Sequence, residues 1–316
     1  MTSPIRLLPE VSTALRERRP VVALESSVLA QGLPVPANHE AARCMVQAVR
    51  SRGGVPAITA VVRGTPTAGL EHAELERFLG REGIGKVSAR DIPVAMARHA
   101  DGATTVAATL AIANAAGIHV FATGGIGGVH RLAADEAGYA YDESADLVEL
   151  ARTPMVVVCA GAKSILDLPA THERLETLGI TVIGYRTSEL PGFFTSETGI
   201  ALGARAESAA EIASVYEASR ALGRSSAVLV VQPPPKDAEL PRALVEQTVA
   251  AAVERAARDR VQGSALTPFL LAELERMTGG RSLGVNLALL EANAALAADI
   301  AREVARLELH SSPMVL

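Results

Sequence analysis

Short runs of β-branched and aliphatic residues recur along the chain, each followed by a longer stretch whose apolar positions return every three or four residues. The runs Val21–Leu24, Ala57–Val62, His119–Ala122, Met155–Cys159, Thr181–Gly184 and Ala227–Val231 lack the polar alternation of a half-exposed strand. They therefore predict strands buried on both faces. The helical period predicts helices over Asn38–Arg50, Leu70–Phe78, Thr104–Ala115, Ser144–Leu150, Ser164–Leu178, Ala209–Leu222, Pro241–Arg258 and Pro268–Met277, and a long alanine-rich one over Leu283–Arg306. This alternation predicts an α/β fold in which helices cover a largely parallel sheet. Gly/Pro/Thr/Ser-rich stretches follow the strands at Gly32–Pro36, Thr123–Gly128 and Thr187–Gly199, and Gln232–Pro235 cannot continue a central strand. With no linker, repeat or low-complexity tract, the expectation is a single domain over residues 1–316.

Composition narrows the picture. The 316 residues are 49% hydrophobic but only 3% aromatic and contain no Trp, so the core must be aliphatic and rich in alanine. The net charge is −5 with both signs interspersed, and no basic run with interleaved aromatics suggests a nucleic-acid face. Cys44 and Cys159 form neither a metal-site spacing nor a disulfide framework. The first residues lack the charged start and apolar core of a signal peptide. No uninterrupted apolar run reaches the ~18 residues of a membrane span. A soluble, cytoplasmic protein acting on a small molecule is expected.

The chemistry concentrates at predicted strand ends. Met155–Cys159 is followed by Ala160-Gly161-Ala162 and then Lys163. In open α/β sheets ligands bind beyond the carboxyl ends of the strands. A dry strand behind Lys163 and a helix predicted to begin at Ser164 both disfavour an ammonium charge, as a nucleophilic amine requires. Phosphate grip remains equally open. Glu25 ends the Val21–Leu24 run, where loss of hydration suits a general acid; an ordinary ion-paired strand-end Glu is the alternative. Lys86 in Gly85-Lys86-Val87-Ser88 is either a phosphate clamp or a solvated loop lysine. Thr104–Thr109 opens a predicted helix whose free amides and hydroxyls could hold an anion, or merely cap the helix.

Four further segments stand out. Phe121–Arg131 is the most glycine-dense stretch, but Gly125-x-Gly127 is followed by His130 where a dinucleotide fingerprint needs its third glycine. It reads as a tight loop that lets backbone approach a ligand, with His130 as a ligand donor or a structural histidine. Asp142 and Asp146 are four apart, which puts both on one face if a helix begins near Asp142. An oxygen-only pair favours a hard divalent ion such as Mg²⁺ or Mn²⁺; an acidic first turn complementing the helix dipole is the simpler alternative. Gly279–Asn286 is more polar than a turn requires. Asn286 is therefore either hydrogen-bonded in the core or aimed at a ligand.

Together these segments resemble the pseudouridine-5′-phosphate glycosidase family. The likeness rests on Val22–Ser26, Gly32–Pro34, Lys86–Ser88, Thr104–Thr109, Phe121–His130, Ser144–Leu147, Cys159–Asp167, Thr267–Leu270 and Gly279–Asn286, in order over most of the chain. The resemblance implies a three-layer α/β/α fold of its own kind, distinct from dinucleotide-binding folds, assembled as a homotrimer. It implies a lyase of nucleotide catabolism that reversibly cleaves pseudouridine 5′-phosphate to uracil and ribose 5-phosphate. The scissile bond is C–C, so protonating an oxygen or nitrogen leaving atom is unavailable, and the implied route is an imine between Lys163 and the ring-opened sugar.

By the same resemblance Lys163 is the nucleophile and Glu25 the proton donor. Lys86, Val106, Ser144, Ala145, Asp146 and Asn286 contact substrate, with His130 kept as a candidate contact from its place in the glycine loop, and Asp142 holds one Mn²⁺ per subunit. Two positions depart from the family pattern: Glu143 stands where an apolar residue is usual, and Gln232-Pro233 replaces an Asn-Pro pair. Two rivals remain. One is a lyase or glycosidase of the same fold acting on another substrate, as in pigment-biosynthesis relatives. The other is a non-catalytic sugar-phosphate binder, which would not need a neutral amine beside an acid.

Overall fold

The computed structural model describes residues 4–131, 142–261 and 266–311. Its strands are β1 (Arg6–Leu7), β2 (Val21–Leu24), β3 (Val55–Val62), β4 (Thr65–Ala68), β5 (Gly85–Val87), β6 (Gly102–Thr104) and β7 (Val120–Ala122), followed by β8 (Val129–His130), β9 (Val156–Cys159), β10 (Leu166–Asp167), β11 (Thr181–Tyr185), β12 (Arg205–Ala206) and β13 (Val228–Val231). The helices are α1 (Pro9–Arg16), α2 (Ala37–Ser51), α3 (His72–Gly80), α4 (Ile92–Ala97), α5 (Val106–Ala115) and α6 (Ala145–Arg152), then α7 (Leu168–Thr177), α8 (Ala209–Ala221), α9 (Arg242–Arg258), α10 (Leu266–Met277) and α11 (Arg281–Ser311).

The central sheet runs β1-β4-β3-β2-β7-β9-β13-β11-β12, and β3 through β12 in that order are all parallel neighbours. Each of Val156, Val157, Val158 and Cys159 is fully buried, as uninterrupted β-branched runs require when helices cover both faces. Burying one such valine contributes roughly 1.5–3 kcal/mol. Helix α11 lies across β2, β7 and β9 with α2 and α8 beside it, while α5 packs with α6 against β2, β3 and β7. The fold is α/β with the expected layers.

From β2 the chain crosses to β3 on one side and later to β7 on the other. The β2–β7 junction is thus where the strand order reverses, the place where a crevice opens at the carboxyl ends of parallel strands. Glu25 and Thr123–Gly125 sit at this junction, and the loop after neighbouring β9 carries Lys163. At the other end, β3 extends past β2 to pair antiparallel with β4 and β6, and β6 carries β5 with Lys86 alongside.

Several expectations need correction. The helix expected from Ser164 begins at Leu168, after Asp167 caps it by accepting from Ala170 N; residues 164–167 form a turn and β10. Among the described residues, no helix begins at Ser164 beside Lys163. The helix expected near Asp142 begins at Ala145 behind Ser144, so Asp142 lies outside it and does not share a helical face with Asp146. Residues Arg281–Leu309 are long and apolar enough to cross a membrane by length and composition, but half of the apolar 18-residue window within them is buried inside the fold. Its packing against the sheet explains its apolar character.

Candidate active site

The crevice at the β2–β7 junction is a pocket whose wall includes Glu25, Lys86, Lys163 and Asn286. Each arrives on a different element. Glu25 leaves the end of β2 and is nearly buried. Its Oε2 accepts from Ser27 Oγ at 2.6 Å, and its Oε1 accepts from Thr123 Oγ1 at the end of β7. Hydroxyls both donate and accept, so Ser27 and Thr123 can hold this side chain in either protonation state.

Lys163 follows the tight turn Ala160-Gly161-Ala162. Gly161 has φ +86°, and a Cβ there would lie 2.2 Å from the Pro191 carbonyl oxygen, so no other residue fits without moving that strand-end loop. The Lys163 N–H donates to Ile126 O at 3.1 Å, lacing the β9 loop to the glycine loop after β7. Lys86 faces the same pocket from β5. Loss of hydration pulls its ammonium below the ordinary lysine range, and the charge of Lys163 adds to this; Glu25 and Asp146 pull the other way.

The glycine loop is held from behind. Asn293, on α11, is buried and donates from Nδ2 to Thr123 O at 2.8 Å and to Gly124 O at 3.4 Å. Its Oδ1 accepts from Gln232 Nε2 at 2.7 Å. The departure at Gln232 therefore has a defined geometry: the longer amide reaches Asn293 from the end of β13. Asn286 lies two helical turns before Asn293 on the same helix and lines the pocket, with no partner for its Oδ1.

The remaining sequence-derived residues sit behind the pocket. Asp146 is buried, with Oδ1 accepting from Ala107 N at 3.0 Å and Oδ2 from Gly127 N at 2.9 Å. This carboxylate occupies the N-terminus of α5, where an anion site was expected. The Thr104 and Thr109 hydroxyls are likewise engaged, in a buried cluster with Ser26 and Thr59. Thr105 Oγ1 accepts from Ala108 N. Val106, at the first position of α5, therefore has its backbone beside amides already taken. Ser144 caps α6 by accepting from Asp146 N, with Ala145 as the first helical residue. A Cβ on Gly127 would meet Ser144 Oγ at 2.2 Å, which fixes glycine there for packing.

His130 and Asp142 form a separate pair. The His130 N–H donates to Asp142 O at 2.9 Å, and Nδ1 lies 2.9 Å from Asp142 Oδ1. Asp142 is largely exposed, and among the described residues no three His, Cys, Asp or Glu side chains gather as a metal cluster. Asp146 has both oxygens committed to amides, and Glu143 is turned away to Arg174, with contacts at 2.8 and 3.0 Å. Among the described residues, Asp142 is the carboxylate left to hold a hard divalent ion here, and an ion held by one or two protein carboxylates would complete its shell with water.

The sequence alone had not singled out Gln31, Arg81, Thr123, Phe193 or Asn293. Gln31 sits in a five-residue π-helical turn, Val28–Gly32, directly after the Glu25 segment, a form common at functional sites. Its only local signal is a lone polar residue before Gly32.

Most of the chain carries this architecture in common with known proteins. It matches the family model described as indigoidine synthase A like protein over residues 10–303. It is 58% identical to the pseudouridine-5′-phosphate glycosidase of Gemmatimonas aurantiaca over 296 residues, 94% of this chain and 95% of that one. The chain belongs to the pseudouridine-5′-phosphate glycosidase family. A second member, from Chloroflexus aurantiacus, is 48% identical over 96% of this chain and 99% of its own. Two solved structures share the family fold. One is the prealnumycin C-glycosynthase AlnA in complex with ribulose 5-phosphate, at TM-score 0.89 and 38% identity over 97% of this chain and 98% of its own. The other is an indigoidine synthase A-like protein from Thermotoga maritima, at TM-score 0.85 and 37% identity over 96% and 97%.

Proposed function

We propose that this chain cleaves the C–C glycosidic bond of pseudouridine 5′-phosphate, reversibly, to uracil and ribose 5-phosphate. The observation that carries the reading is the meeting of Glu25, Lys86 and Lys163 in one pocket at the sheet's switch point. The names of the family members and the sugar phosphate in the AlnA complex support it.

In this reading the phosphate is held by Lys86. Nζ of Lys163 bonds to C1′ as the C1′–O4′ bond breaks, and Glu25 delivers a proton to O4′. Uracil C5 then gains a proton. The C1′–C5 bond breaks, its electrons restoring the C5–C6 double bond, while the nitrogen lone pair forms the C1′=N iminium. Water releases ribose 5-phosphate and returns the free amine, so the balance is one water consumed per bond cleaved. Ser27 and Thr123 keep Glu25 aimed in both protonation states. Asp146 and Asn293 act as positioning residues, the first fixing α5 against the glycine loop, the second fixing the Thr123 carbonyl.

A Mn²⁺ at Asp142, a homotrimer and a cytoplasmic setting belong to the same reading by resemblance. No step is routed through the metal. Metal binding measured by calorimetry on the intact protein and on Asp142→Asn tests it, and equal binding by both would remove Asp142 from that role. Sedimentation as a monomer would remove the trimer.

The deciding experiment treats the protein with ribose 5-phosphate and borohydride. A reduced adduct on the Lys163 peptide is expected, absent in Lys163→Ala. Uracil should be released from pseudouridine 5′-phosphate and not from uridine 5′-phosphate. Turnover without a trapped adduct would discard the imine.

A further inference from the structure

Ser26, Thr59, Thr104 and Thr109 are fully buried, and their hydroxyls meet where the end of β2, β3, β6 and α5 converge. Thr104 Oγ1 donates to Thr59 O at 2.8 Å, so toward the neighbouring hydroxyls it is an acceptor. Those of Thr59, Thr109 and Ser26 surround it at 2.8, 3.1 and 3.2 Å. Thr59 Oγ1 also lies 2.9 Å from Thr109 Oγ1, and the Thr104 N–H donates to Ser26 Oγ at 2.9 Å. Apolar groups of the same shape would hold these segments together about as well. What a satisfied buried network adds is a single fixed arrangement of its parts.

The network sits at a joint in the sheet. Glu25, Thr123 and Lys163 follow the carboxyl ends of β2, β7 and β9, all in its parallel part. Lys86 belongs to a separate arm. Its three-residue strand β5 pairs with β6, and β6 pairs with the extension of β3 beyond β2. The β3–β6 ladder covers Gly102 and Ala103. Thr104 comes next, opposite Val87 in the β5 register, and there hydroxyls take over from the ladder. Ser26 adjoins Glu25 and Val87 adjoins Lys86, so the contact of Ser26 with Thr104 joins the acid to the lysine through a few buried residues.

We propose that Ser26 and Thr104 are positioning residues: with Thr59 and Thr109 they lock the arm of Lys86 against the end of β2, and so set the span between the phosphate grip and the proton of Glu25. This rests on the function proposed above. A pentose 5-phosphate has a limited covalent reach from phosphorus to O4′ and C1′. An arm free to shift would still seat the phosphate but leave the reacting atoms out of line with Glu25 and Lys163. A misplacement of about 1 Å can cost on the order of 10²-fold in rate. A sugar without phosphate gives Lys86 nothing to hold, so the span does not govern its reaction.

The test measures borohydride trapping on Lys163 with ribose 5-phosphate and with ribose, alongside steady-state cleavage of pseudouridine 5′-phosphate. Ser26→Ala and Thr104→Val should each lower kcat about tenfold or more while KM changes less than about threefold. Trapping of ribose 5-phosphate should slow to a similar degree. Trapping of ribose should stay within about twofold, which also shows that each variant is folded with a reactive Lys163. Thr104→Ser keeps the hydroxyl and should recover most of the loss. Equal slowing of both sugars by Ser26→Ala, the milder change, would reduce the cluster to ordinary packing and overturn the proposal. Full kcat in both variants would overturn it too, as would a Thr104→Ser as slow as Thr104→Val. Those outcomes leave the proposed reaction standing. No trapped adduct and no uracil release from the unsubstituted protein would overturn that reaction and this inference with it.

Discussion

At the scale of single residues, the site is defined by two lysines and one carboxyl that share a pocket but differ in support. Glu25 is held at both oxygens by hydroxyls, so Glu25→Gln keeps the shape while removing the proton. It should lower kcat by about 10² or more with a smaller change in KM, read from steady-state kinetics. Lys86 has an ammonium already pulled below its ordinary value of 10.5 by burial and by Lys163. Phosphate binding needs the charged form, so affinity for ribose 5-phosphate should fall with rising pH, beginning below the ordinary 10.5. Lys86→Arg, charged throughout that range, should flatten this limb in a titration of Kd against pH. The sign for stability is opposite to that of a favourable ion pair. A lowered folded pKa means the fold resists this proton, so the penalty is present at neutral pH and fades as pH climbs through the interval up to the unfolded value.

At the scale of elements, the positions that matter are fixed by loops laced across strand ends. Asn293 ties α11 to the ends of β7 and β13 through three contacts. Asn293→Leu leaves the Gln232 amide and two carbonyls without that partner, and should cost about 1–3 kcal/mol in denaturant unfolding. Because Thr123 would lose its backbone anchor, kcat should fall as well. Adding Gln232→Leu should return part of the stability, since an apolar pair no longer leaves the Gln232 amide unpaired, but none of the activity. A double variant no more stable than Asn293→Leu would count against the pairing. Asp146 makes a similar tie between α5 and the glycine loop. From sequence it read as half of a metal-binding pair or part of an acidic first turn, and by resemblance as a substrate contact, because a free carboxylate and one accepting two amides have the same local pattern.

At the scale of the whole molecule, function follows from strand order. Glu25 and the glycine loop sit beyond neighbouring strands β2 and β7 on either side of the reversal, with β9 and Lys163 next in line. The price of that arrangement is a sheet sealed on both faces, and Cys159 reports on it. Complete burial pushes its thiol up to about 12, while Cys44 is only partly covered. Alkylation of the native protein at pH 8 should therefore label Cys44 and spare Cys159 until the protein is denatured, as mass spectrometry of the peptides would reveal. Labelling of both at one rate would mean that the centre of the sheet opens readily.

The sequence by itself determined the six central parallel strands and most of the helices, though not the seven short strands β1, β4, β5, β6, β8, β10 and β12, because a run buried on both faces must be written without polar interruption and a covering helix must repeat every three to four residues. It also determined that Glu25 and Lys163 follow strand ends, since both close such runs. Only the tertiary structure decided that β2, β7 and β9 are neighbours, that Lys86 joins them from the β3 extension, and that Glu143 turns to Arg174. It alone brought Gln31, Arg81 and Asn286 to one cavity. These residues come from a π-helical turn, a helix end and the last long helix. Their meeting depends on how distant segments pack, and no local spacing encodes that.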